Sequence, residues 1–580
     1  MAVIKLSAFS GEKPILNARL LPDTAATEAF NVRLTDGALT PINKAVYIGV
    51  GAGAANHKTI YRHGGTWLSW SGLVDVAPGP VAQDRLYYTG DGAPKMLVGG
   101  TEYDLAVAKP AAALTATMGG TGSGDVQSRT YSYTYVTSFG EESAPCTASN
   151  IIDWQPGKTV TLSGFALPPS GRDITTQRIY RSQTGSAGTY FYLIAERAVS
   201  SGNFSDTVPV DAFLEPLPSM DWNTPPSNLK GLCAMPNGMM AGFVGKDVYF
   251  CEPWRPHAWP EKYVLTCDTD VVGLRAIGPY LVVMTKGQPY IFAGATPDTM
   301  RQDKLEANFA CINERSIVDL GFAICYATNE GLVAVRADGS IGIVTEQLFN
   351  RDTWLTFEPD KIIAAQSNGN YVMFYNTTDT EGVVRRGAMM ININAAQFLV
   401  RSSEAADAVF FCAEDASLYF KRIGSTSIFQ FDSPDGSPDE LFWRSKEFWL
   451  TAPVNFGAVL IDLGRARSGE SMVNIEDEIE AIREENALLF AGDLLGALND
   501  AELNVFEMNG DVLLPYPRYE SVMANIYADG ELFHSVSAVN RIARLPGGKT
   551  ARKWEISVSA NVQIGQITMA TTIEELRNTL

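Results

Sequence analysis

Histidine is scarce in this sequence, with four residues in 580, and the familiar hydrolase motifs are missing. The four histidines form neither an H-x-x-x-H nor an H-E-x-x-H pair, so a zinc hydrolase site is not expected. They are His57, His63, His257 and His534. The nucleophile elbow G-x-S-x-G and the full P-loop pattern G-x-x-x-x-G-K-S/T are absent as well. The sequence therefore offers no motif of a zinc hydrolase, a serine hydrolase or a P-loop protein.

Signals for disulfides and for membrane insertion are missing too. The cysteines are odd in number, widely spaced and without a C-x-x-C pair, which predicts buried thiols made in a reducing cytoplasm. They are Cys146, Cys233, Cys251, Cys267, Cys311, Cys325 and Cys412. No run of about 18 apolar residues occurs, so no stable membrane association is expected. The segment Met1–Lys5 lacks the apolar core of a secretion signal.

The charge balance is acidic, with 45 Lys and Arg against 65 Asp and Glu, a formal net charge of −20. Such a protein repels DNA rather than binding it through its overall field. The ordinary interpretation of this charge is solubility, and the functional one is a surface that DNA passes without sticking. The length predicts roughly three or four domains, and 10% aromatic residues favour β-structure.

Residues 44–107 and 221–430 carry short strands joined by tight polar turns. Thr59–Arg62 and Thr66–Leu68 flank a Gly-Gly turn, and Tyr280–Thr285 leads past Lys286-Gly287 to a second strand, Pro289–Phe292. The unit of strand, turn and strand returns every ~40–50 residues, which is typical of propeller blades. We expect about five blades in 221–430 and one or two in 44–107. Stacked sandwiches are the alternative architecture.

Residues 108–220 are predicted to form a sandwich inserted in the propeller. Thr130–Val136 alternates small and aromatic residues, which predicts a strand with one buried face. Together with Ser138–Pro145, this stretch resembles a fibronectin type III-like module. We expect it to fold alone and to project from the propeller, with a core built from Tyr131, Tyr133, Tyr135, Ile179 and Tyr192.

The two ends of the chain differ from the middle. Residues 1–43 are predicted to be an extended arm, and residues 431–580 a C-terminal β-rich domain. A helix near 474–498 is indicated by an apolar stripe that includes Ile475, Ile479 and Ile482, and a short helix is predicted at Thr572–Leu576. The predicted fold is therefore mainly β: a degenerate β-propeller with an inserted fibronectin type III-like sandwich and a C-terminal β domain carrying one helix.

Two patterns could carry chemistry. Gly49-Val50-Gly51-Ala52-Gly53-Ala54 satisfies G-x-G-x-x-G/A, and Asp75 follows at the distance of a ribose ligand, but a strand rather than a helix comes next, so a loop is favoured. The acid pairs Glu141-Glu142, Asp477-Glu478 and Glu484-Glu485 could serve glycoside cleavage but are interpreted as solvated charge. We predict no catalytic, cofactor-binding or metal-binding residue.

The most specific segment runs from Leu232 to Tyr263. It contains Met235-Pro236-Asn237-Gly238, then Val248-Tyr249-Phe250-Cys251-Glu252-Pro253, then Pro256-His257-Ala258-Trp259-Pro260. This segment resembles the tail nozzle proteins of short-tailed bacteriophages, the tail tubular protein B-like family, with Cys251 in place of an expected Ser. Asn31–Pro41, Arg552–Ile556 and Glu574–Leu576 show the same similarity.

The resemblance implies a structural subunit of the virion tail, assembled in the bacterial host cytoplasm. Such a subunit forms a homohexameric tube below the portal and adaptor rings, contacts tail fibres or a needle, and lets DNA pass without specific binding. A receptor-binding or glycan-cleaving tail protein is the alternative. Within the segment we expect His257 to fasten a rigid loop rather than to act as a catalyst. Acid-rich loops such as Asp432–Glu440 are expected to face the channel.

Overall fold

A computed structural model describes residues 2–34, 36–51, 53–185, 188–378, 381–394, 397–463, 482–484 and 521–579. Strands predominate over helices in the described chain, which divides into two compact units. Unit 1 comprises residues 1–46, 389–403 and 432–580, and unit 2 comprises residues 47–388 and 404–431.

Unit 2 is a degenerate β-propeller in which seven blades can be traced among the described residues. The usual blade is an antiparallel sheet of four strands, and its first strand lies beside the first strands of neighbouring blades. Short apolar strands separated by tight turns fold in this way because each small sheet buries its faces only by stacking on the next. Five blades use strands from 221–430 and two lie in 44–107, as the repeat predicted.

The blades are numbered in chain order. Blade 1 is the hairpin Thr59–His63 and Thr66–Trp70. Blade 2 contains Asp75–Pro78, Arg85–Thr89, Lys95–Val98 and Thr101–Asp104. Blade 3 contains Lys230–Ala234, Met240–Val244, Asp247–Phe250 and Leu265–Thr266. Blade 4 contains Val271–Ile277, Tyr280–Thr285, Tyr290–Ala293 and Arg301–Lys304. Blade 5 contains Val318–Asp319, Ala323–Ala327, Leu332–Arg336 and Ile341–Ile343. Blade 6 contains Ile363–Ser367, Asn370–Thr378 and Val384–Asn392. Blade 7 contains Ala406–Cys412, Ser417–Arg422, Ser427–Gln430 and Val46–Val50.

Blade 7 draws its fourth strand from the beginning of the chain. Val46–Val50 lies beside Ser427–Gln430 at the edge of that sheet, and the Gly51 N–H donates to the Thr426 carbonyl at 2.8 Å. Side chains from neighbouring blades stack on one another, as Phe374 of blade 6 does on Phe420 of blade 7. A short helix, Arg351–Leu355, and 3-10 turns at Pro236–Gly238, Glu261–Tyr263, Pro297–Thr299 and Glu314–Ser316 complete the connections.

The inserted sandwich lies between blades 2 and 3. One sheet contains Thr115–Gly119, Thr159–Ser163 and Phe204–Asp206, and the other contains Tyr131–Thr137, Ile174–Gly185 and Gly188–Ala198. Gln127–Arg129 and Ile152–Trp154 form a small third ladder. The core includes Tyr131, Tyr133, Tyr135 and Ile179, as expected.

Two details of the sandwich differ from the prediction. Tyr192 lies outside the core and packs against Phe213 with the rings tilted, at 4.5 Å between ring centroids. Every residue of Tyr131–Thr137 is buried, so both faces of the strand are covered rather than one. The small residues of that strand are buried because they hydrogen bond to the segment that follows, as Thr134 does to Glu142 at 2.7 Å.

Unit 1 is built from two larger sheets. The first contains Val3–Leu6, Gln566–Ala570, Ala458–Asp462 and Ala543–Arg544. The second contains, within unit 1, Phe398–Ser402, Ala26–Phe30, Leu441–Ser445, Ala551–Ala560, Val522–Ala528 and Glu531–Val536, with Phe448–Val454 pairing Ala551–Ala560. Val32–Arg33 pairs Thr40–Pro41, and Ile573–Asn578 is a helix whose first turn is capped by Thr572.

Residues 1–43 are not a separate arm. Ile4, Leu6 and Phe9 are buried in the core of unit 1, because the alternating residues of Val3–Leu6 pair in register with 567–570. The helix predicted near 474–498 lies, except for residues 482–484, outside the described residues. Across the described chain, no helix combines the length and the apolarity that crossing a membrane would require.

Candidate functional site

The first strands of the blades surround a cavity of about 480 Å³ on the propeller axis. Apolar side chains make up much of its wall. Polar and charged residues among the lining are Thr59, Asp75, Arg275, Asp319 and Gln366. A concave space with a few converging polar groups is the usual form of a small-ligand site, and it is also what a ring of blades encloses by construction.

The charged side chains of this cavity are held by one another and by the backbone. Asp75 accepts a hydrogen bond from the Gly231 N–H at 3.0 Å and lies 3.7 Å from the Arg275 guanidinium. Burial raises the pKa of Asp75, and the positive charge of Arg275 opposes that rise. Glu314 lies in an adjacent pocket that Asp75 and Arg275 also line, and burial, and then the charge of Asp75, raise its pKa to about 7. Burial also raises the pKa of the Cys233 thiol to about 11, which keeps it protonated and weakly nucleophilic.

The glycine-rich motif is a loop. Gly51 is held by the Thr426 carbonyl, and the chain continues into the strand Thr59–His63 instead of a helix. Without a helix N-terminus there is no ring of free amides to hold a pyrophosphate. Asp75, the acid at ribose-ligand distance in the sequence, instead faces Arg275 in blade 4.

Glu141 and Glu142 lie at the base of the sandwich, and interpreting them as solvated charge is wrong. Both are buried because arginines neutralise them: Glu141 Oε2 lies 2.5 Å from Arg172 Nη2, and Glu142 Oε2 lies 3.1 Å from Arg178 Nη1. Glu142 also accepts from the Tyr180 hydroxyl at 2.6 Å. Carboxylates committed to such bonds differ from the free pair that glycoside cleavage uses.

The loop that contains Pro256–Pro260 reaches this base from blade 3. His257 Nε2 donates to the Glu142 carbonyl at 3.0 Å, which fixes the tautomer with the proton on Nε2. Burial, and then the charge of Arg172, lower the pKa of His257 to about 3. The ring stands edge-on to Trp222, with 5.6 Å between centroids. His257 therefore fastens the propeller loop to the sandwich, as the sequence predicted.

The remaining polar groups of the same segment also bond internally. The Trp259 indole donates to the Pro256 carbonyl at 2.7 Å, and the ring is buried against blades 2 and 3. Glu252 accepts from the Tyr263 hydroxyl at 2.9 Å. The Met240 N–H donates to Cys251 Sγ at 3.0 Å, so the thiol occupies the acceptor position that a Ser hydroxyl would fill.

The acid-rich loop Asp432–Glu440 of unit 1 is only partly free to face a channel. The Asp432 carboxylate is buried and bonds Arg33 at 2.5 Å, and Asp439 accepts from the Asn31 amide at 3.0 Å. Asp435 and Glu440 are exposed. Asp432 is therefore not a free surface charge, because Arg33, distant in sequence, neutralises it. Which acids of such loops face a channel stays a prediction.

The other candidates are dispersed. His57 Nδ1 lies 2.7 Å from the Ser69 hydroxyl, and His63 lies 3.4 Å from the Asp84 carbonyl. No group of three metal-ligating side chains occurs within the described ranges. Asp477, Glu478 and Glu485 lie outside those ranges, and Glu484 is exposed. All seven cysteines are free thiols, and only Cys233 is less than fully buried.

No family model and no curated protein matches the sequence. Solved structures with weak similarity include BamB from Moraxella catarrhalis, at 9% identity and a TM-score of 0.27 over 67% of this chain and 98% of that one. Sqt1 from Saccharomyces cerevisiae gives 8% identity and a TM-score of 0.26 over 68% of this chain and 100% of that one. The extracellular domain of a hybrid two component system from B. thetaiotaomicron gives 9% identity and a TM-score of 0.27. That match covers 69% of this chain and 44% of the other, so the chain spans less than half the length of that protein.

Proposed function

We propose that this chain is a structural subunit of the tail tube, the nozzle, of a short-tailed bacteriophage. Six copies form a ring that conducts and retains genomic DNA and joins the portal-adaptor ring to distal tail parts. The proposal begins from the resemblance of Leu232–Tyr263 to tail nozzle proteins of the tail tubular protein B-like family. The propeller and its inserted sandwich are compatible with that resemblance.

The observation that carries the proposal is that the polar side chains of Leu232–Tyr263 form hydrogen bonds inside the molecule. His257 bonds to the sandwich backbone, Trp259 to Pro256, and Glu252 to Tyr263. A segment that braces two domains suits a protein under mechanical load during DNA passage. The segment is thus better explained as a rigid coupling than as a place where a substrate binds.

The charge of the chain supports the same proposal. Each Lys–phosphate contact retards DNA, so a conduit is expected to present acidic or neutral surfaces to the nucleic acid. A formal charge of −20 per chain, repeated around a ring, supplies a repulsive wall wherever exposed acids such as Asp435 and Glu440 face inward. Tail fibres or a needle are the expected distal partners, and no cofactor is required.

The mass of the assembled particle tests the proposal. Tails isolated from virions that contain this chain are expected to show a ring of six copies by electron microscopy and native mass spectrometry. The free recombinant chain, measured alone, serves as the mass standard. A trimer that cleaves polysaccharide would instead establish the alternative of a receptor-binding or glycan-cleaving tail protein.

A further inference from the structure

The axial cavity of the propeller carries charge of both signs. Its volume of about 480 Å³ lies in the range of about 300–1,000 Å³ that small-molecule sites occupy. Among the described residues, three charged side chains line it: Asp75, Arg275 and Asp319. Apolar side chains from four blades form much of the remaining wall, among them Val76, Leu232, Val318 and Val409. The cavity thus combines an apolar surface with a few charged groups, as ligand sites do.

Asp75 and Arg275 lie together at one end of the cavity. Arg275 Nη1 lies 3.7 Å from Asp75 Oδ1 and donates to the Leu274 carbonyl at 2.7 Å, and Asp75 Oδ2 accepts from the Gly231 N–H. A guanidinium has several N–H donors and a carboxylate has several acceptor sites, so these bonds leave capacity on both groups. A ligand in the cavity can therefore donate to Asp75 and accept from Arg275 while the two remain paired.

Asp319 lies toward the other end. A smaller cavity of about 160 Å³ shares Asp75 and Arg275 with the larger one and is also lined by Glu314, whereas Asp319 lines only the larger cavity. Asp75 begins its strand and Asp319 ends its own, which agrees with this separation. Asp319 is exposed, as is Ala234 in the same lining, so this end of the cavity meets solvent. The charges therefore run from an acid and a base at one end to a second acid at the other.

We propose that the axial cavity binds a basic α-amino acid, with its α-carboxylate on Arg275, its α-ammonium on Asp75 and its side-chain cation at Asp319. The three lining charges sum to −1, and such a ligand carries +1 near pH 7. A simple anion would meet two carboxylates and a simple cation would meet a guanidinium, so the pattern favours a ligand with both signs. The methylene chain of the ligand would pack against the apolar wall. This site needs neither a ring of six copies nor DNA, so it is independent of the proposed tail function.

Isothermal titration calorimetry of the full chain at about pH 7 tests the proposal, with L-lysine and L-arginine as probes. Three analogues of L-lysine each lack one charged group: norleucine lacks the side-chain ammonium, cadaverine the carboxylate, and ε-aminocaproate the α-ammonium. At least one basic amino acid is expected to bind. Each analogue should bind about 10-fold more weakly than L-lysine or not at all, because each leaves one lining charge without its partner. No binding of either amino acid up to about 10 mM, or equal binding of the analogues, would overturn the proposal.

Two acidic positions in blade 5 give a matched pair of variants. Asp319→Asn removes the charge but keeps an acceptor for the Gly321 N–H, which Asp319 bonds at 2.7 Å. Asp338 is also exposed and accepts from the Ser340 N–H at 2.9 Å, but it does not line the cavity. Asp319→Asn should lose the preference for L-lysine over norleucine, and Asp338→Asn should keep it. Equal effects of the two variants would refute the assignment.

Arg275→Met tests the other end of the ligand. The variant should lose the preference for L-lysine over cadaverine, because the carboxylate that distinguishes them no longer meets a guanidinium. It should still prefer L-lysine to norleucine, because Asp319 is unchanged. Thermal unfolding of each variant confirms that the chain is folded. If Arg275→Met binds L-lysine as the wild-type chain does, the proposal is wrong, and Asp319→Asn decides the question should Arg275→Met fail to fold.

Discussion

Arg181 and Asp206 form an ion pair in the interior of the sandwich, with Arg181 Nη1 3.0 Å from Asp206 Oδ2 and both side chains 1% exposed. The guanidinium also donates to the carbonyls of Val208 and Pro209, and the Tyr131 hydroxyl donates to Asp206. The pair thus connects the strand Phe204–Asp206 of one sheet to the strand Ile174–Gly185 of the other.

Removing one member of this pair leaves a buried charge without its partner. Asp206→Ala is expected to destabilise the sandwich by about 3–5 kcal/mol, measured as the free energy of unfolding in urea. Asp221→Ala breaks the exposed Lys262–Asp221 pair, at 3.1 Å, and should change that free energy by less than about 1 kcal/mol. Equal effects of the two substitutions would contradict a structural role for the buried pair.

Stability should depend on pH through His257. In the native state the pKa of His257 is about 3, so the ring stays neutral down to that pH, whereas in the unfolded chain it takes up a proton near pH 6.5. The unfolded state therefore binds the additional proton between these values, and stability falls as the pH is lowered through that window. From pH 6.5 to 5 the loss is about 2 kcal/mol.

The variant His257→Gln isolates this contribution, because the Gln amide can still donate to the Glu142 carbonyl and does not titrate. Urea midpoints at pH 7 and pH 5 should separate less for the variant than for the wild-type chain. An unchanged separation would mean that other groups carry the acid sensitivity.

Gly238 is expected to tolerate no side chain. Its φ is 72°, and an added Cβ would collide with the indole ring of Trp254. Gly245 has a similar φ of 59°, but an added Cβ there meets open space. Gly245→Ala should cost about 1–2 kcal/mol of backbone strain, and Gly238→Ala should cost more. Urea unfolding of the two variants measures the difference between their free energies of unfolding. No difference is expected if the Trp254 indole adopts another rotamer.

The sandwich should fold without the propeller. Its core of Tyr131, Tyr133, Tyr135 and Leu162 is closed by its own strands, and the Glu141–Arg172 pair lies within it. A fragment of residues 108–220 is expected to show a cooperative thermal transition and dispersed amide signals by NMR. A fragment that stays unfolded would refute independent folding and would show that contacts with the propeller, such as those of Arg85 and His257 with Glu141, are needed.

If the chain is a nozzle subunit, exposed acids at its channel should govern DNA release. Asp435→Lys and Glu440→Lys are expected to slow ejection from assembled virions, most strongly at low salt, where screening is weakest. Asp435→Asn and Glu440→Gln, which remove charge without reversing it, should slow it mildly. Ejection rates that the Lys substitutions leave unchanged would contradict an acidic lining. A structure of the ring with a strongly basic channel would contradict it as well.

The sequence predicted those features that recur locally. Strand and turn at a regular period predicted the blades, and the alternation of Tyr131, Tyr133 and Tyr135 predicted the sandwich core. Pairings between distant segments were not predictable, because the partner of a charged residue depends on the topology. From the sequence, Glu141 and Glu142 resemble solvated charge, but in the fold they pair with Arg172 and Arg178. Asp432 likewise pairs with Arg33.

The axial cavity was missed for the same reason. Asp75, Arg275 and Glu314 come from three separate parts of the chain and meet only because the ring of blades places them together. An acid or a guanidinium in an otherwise apolar strand was the signal available, as in Val271–Ile277, where Arg275 interrupts the apolar residues. A charged residue in an apolar strand predicts that the side chain is buried, but it does not predict which residue pairs with it.

The strand Val46–Val50 has to wait for its place in blade 7. A ribosome makes it early, yet its neighbour Ser427–Gln430 emerges only after the other blades have been translated. Until then the nascent chain carries an unpaired edge with exposed Tyr47 and Val50, the kind of segment that other chains capture. We therefore expect closure of the ring to come late in folding, and aggregation to be strongest where many unfinished chains are crowded on one messenger.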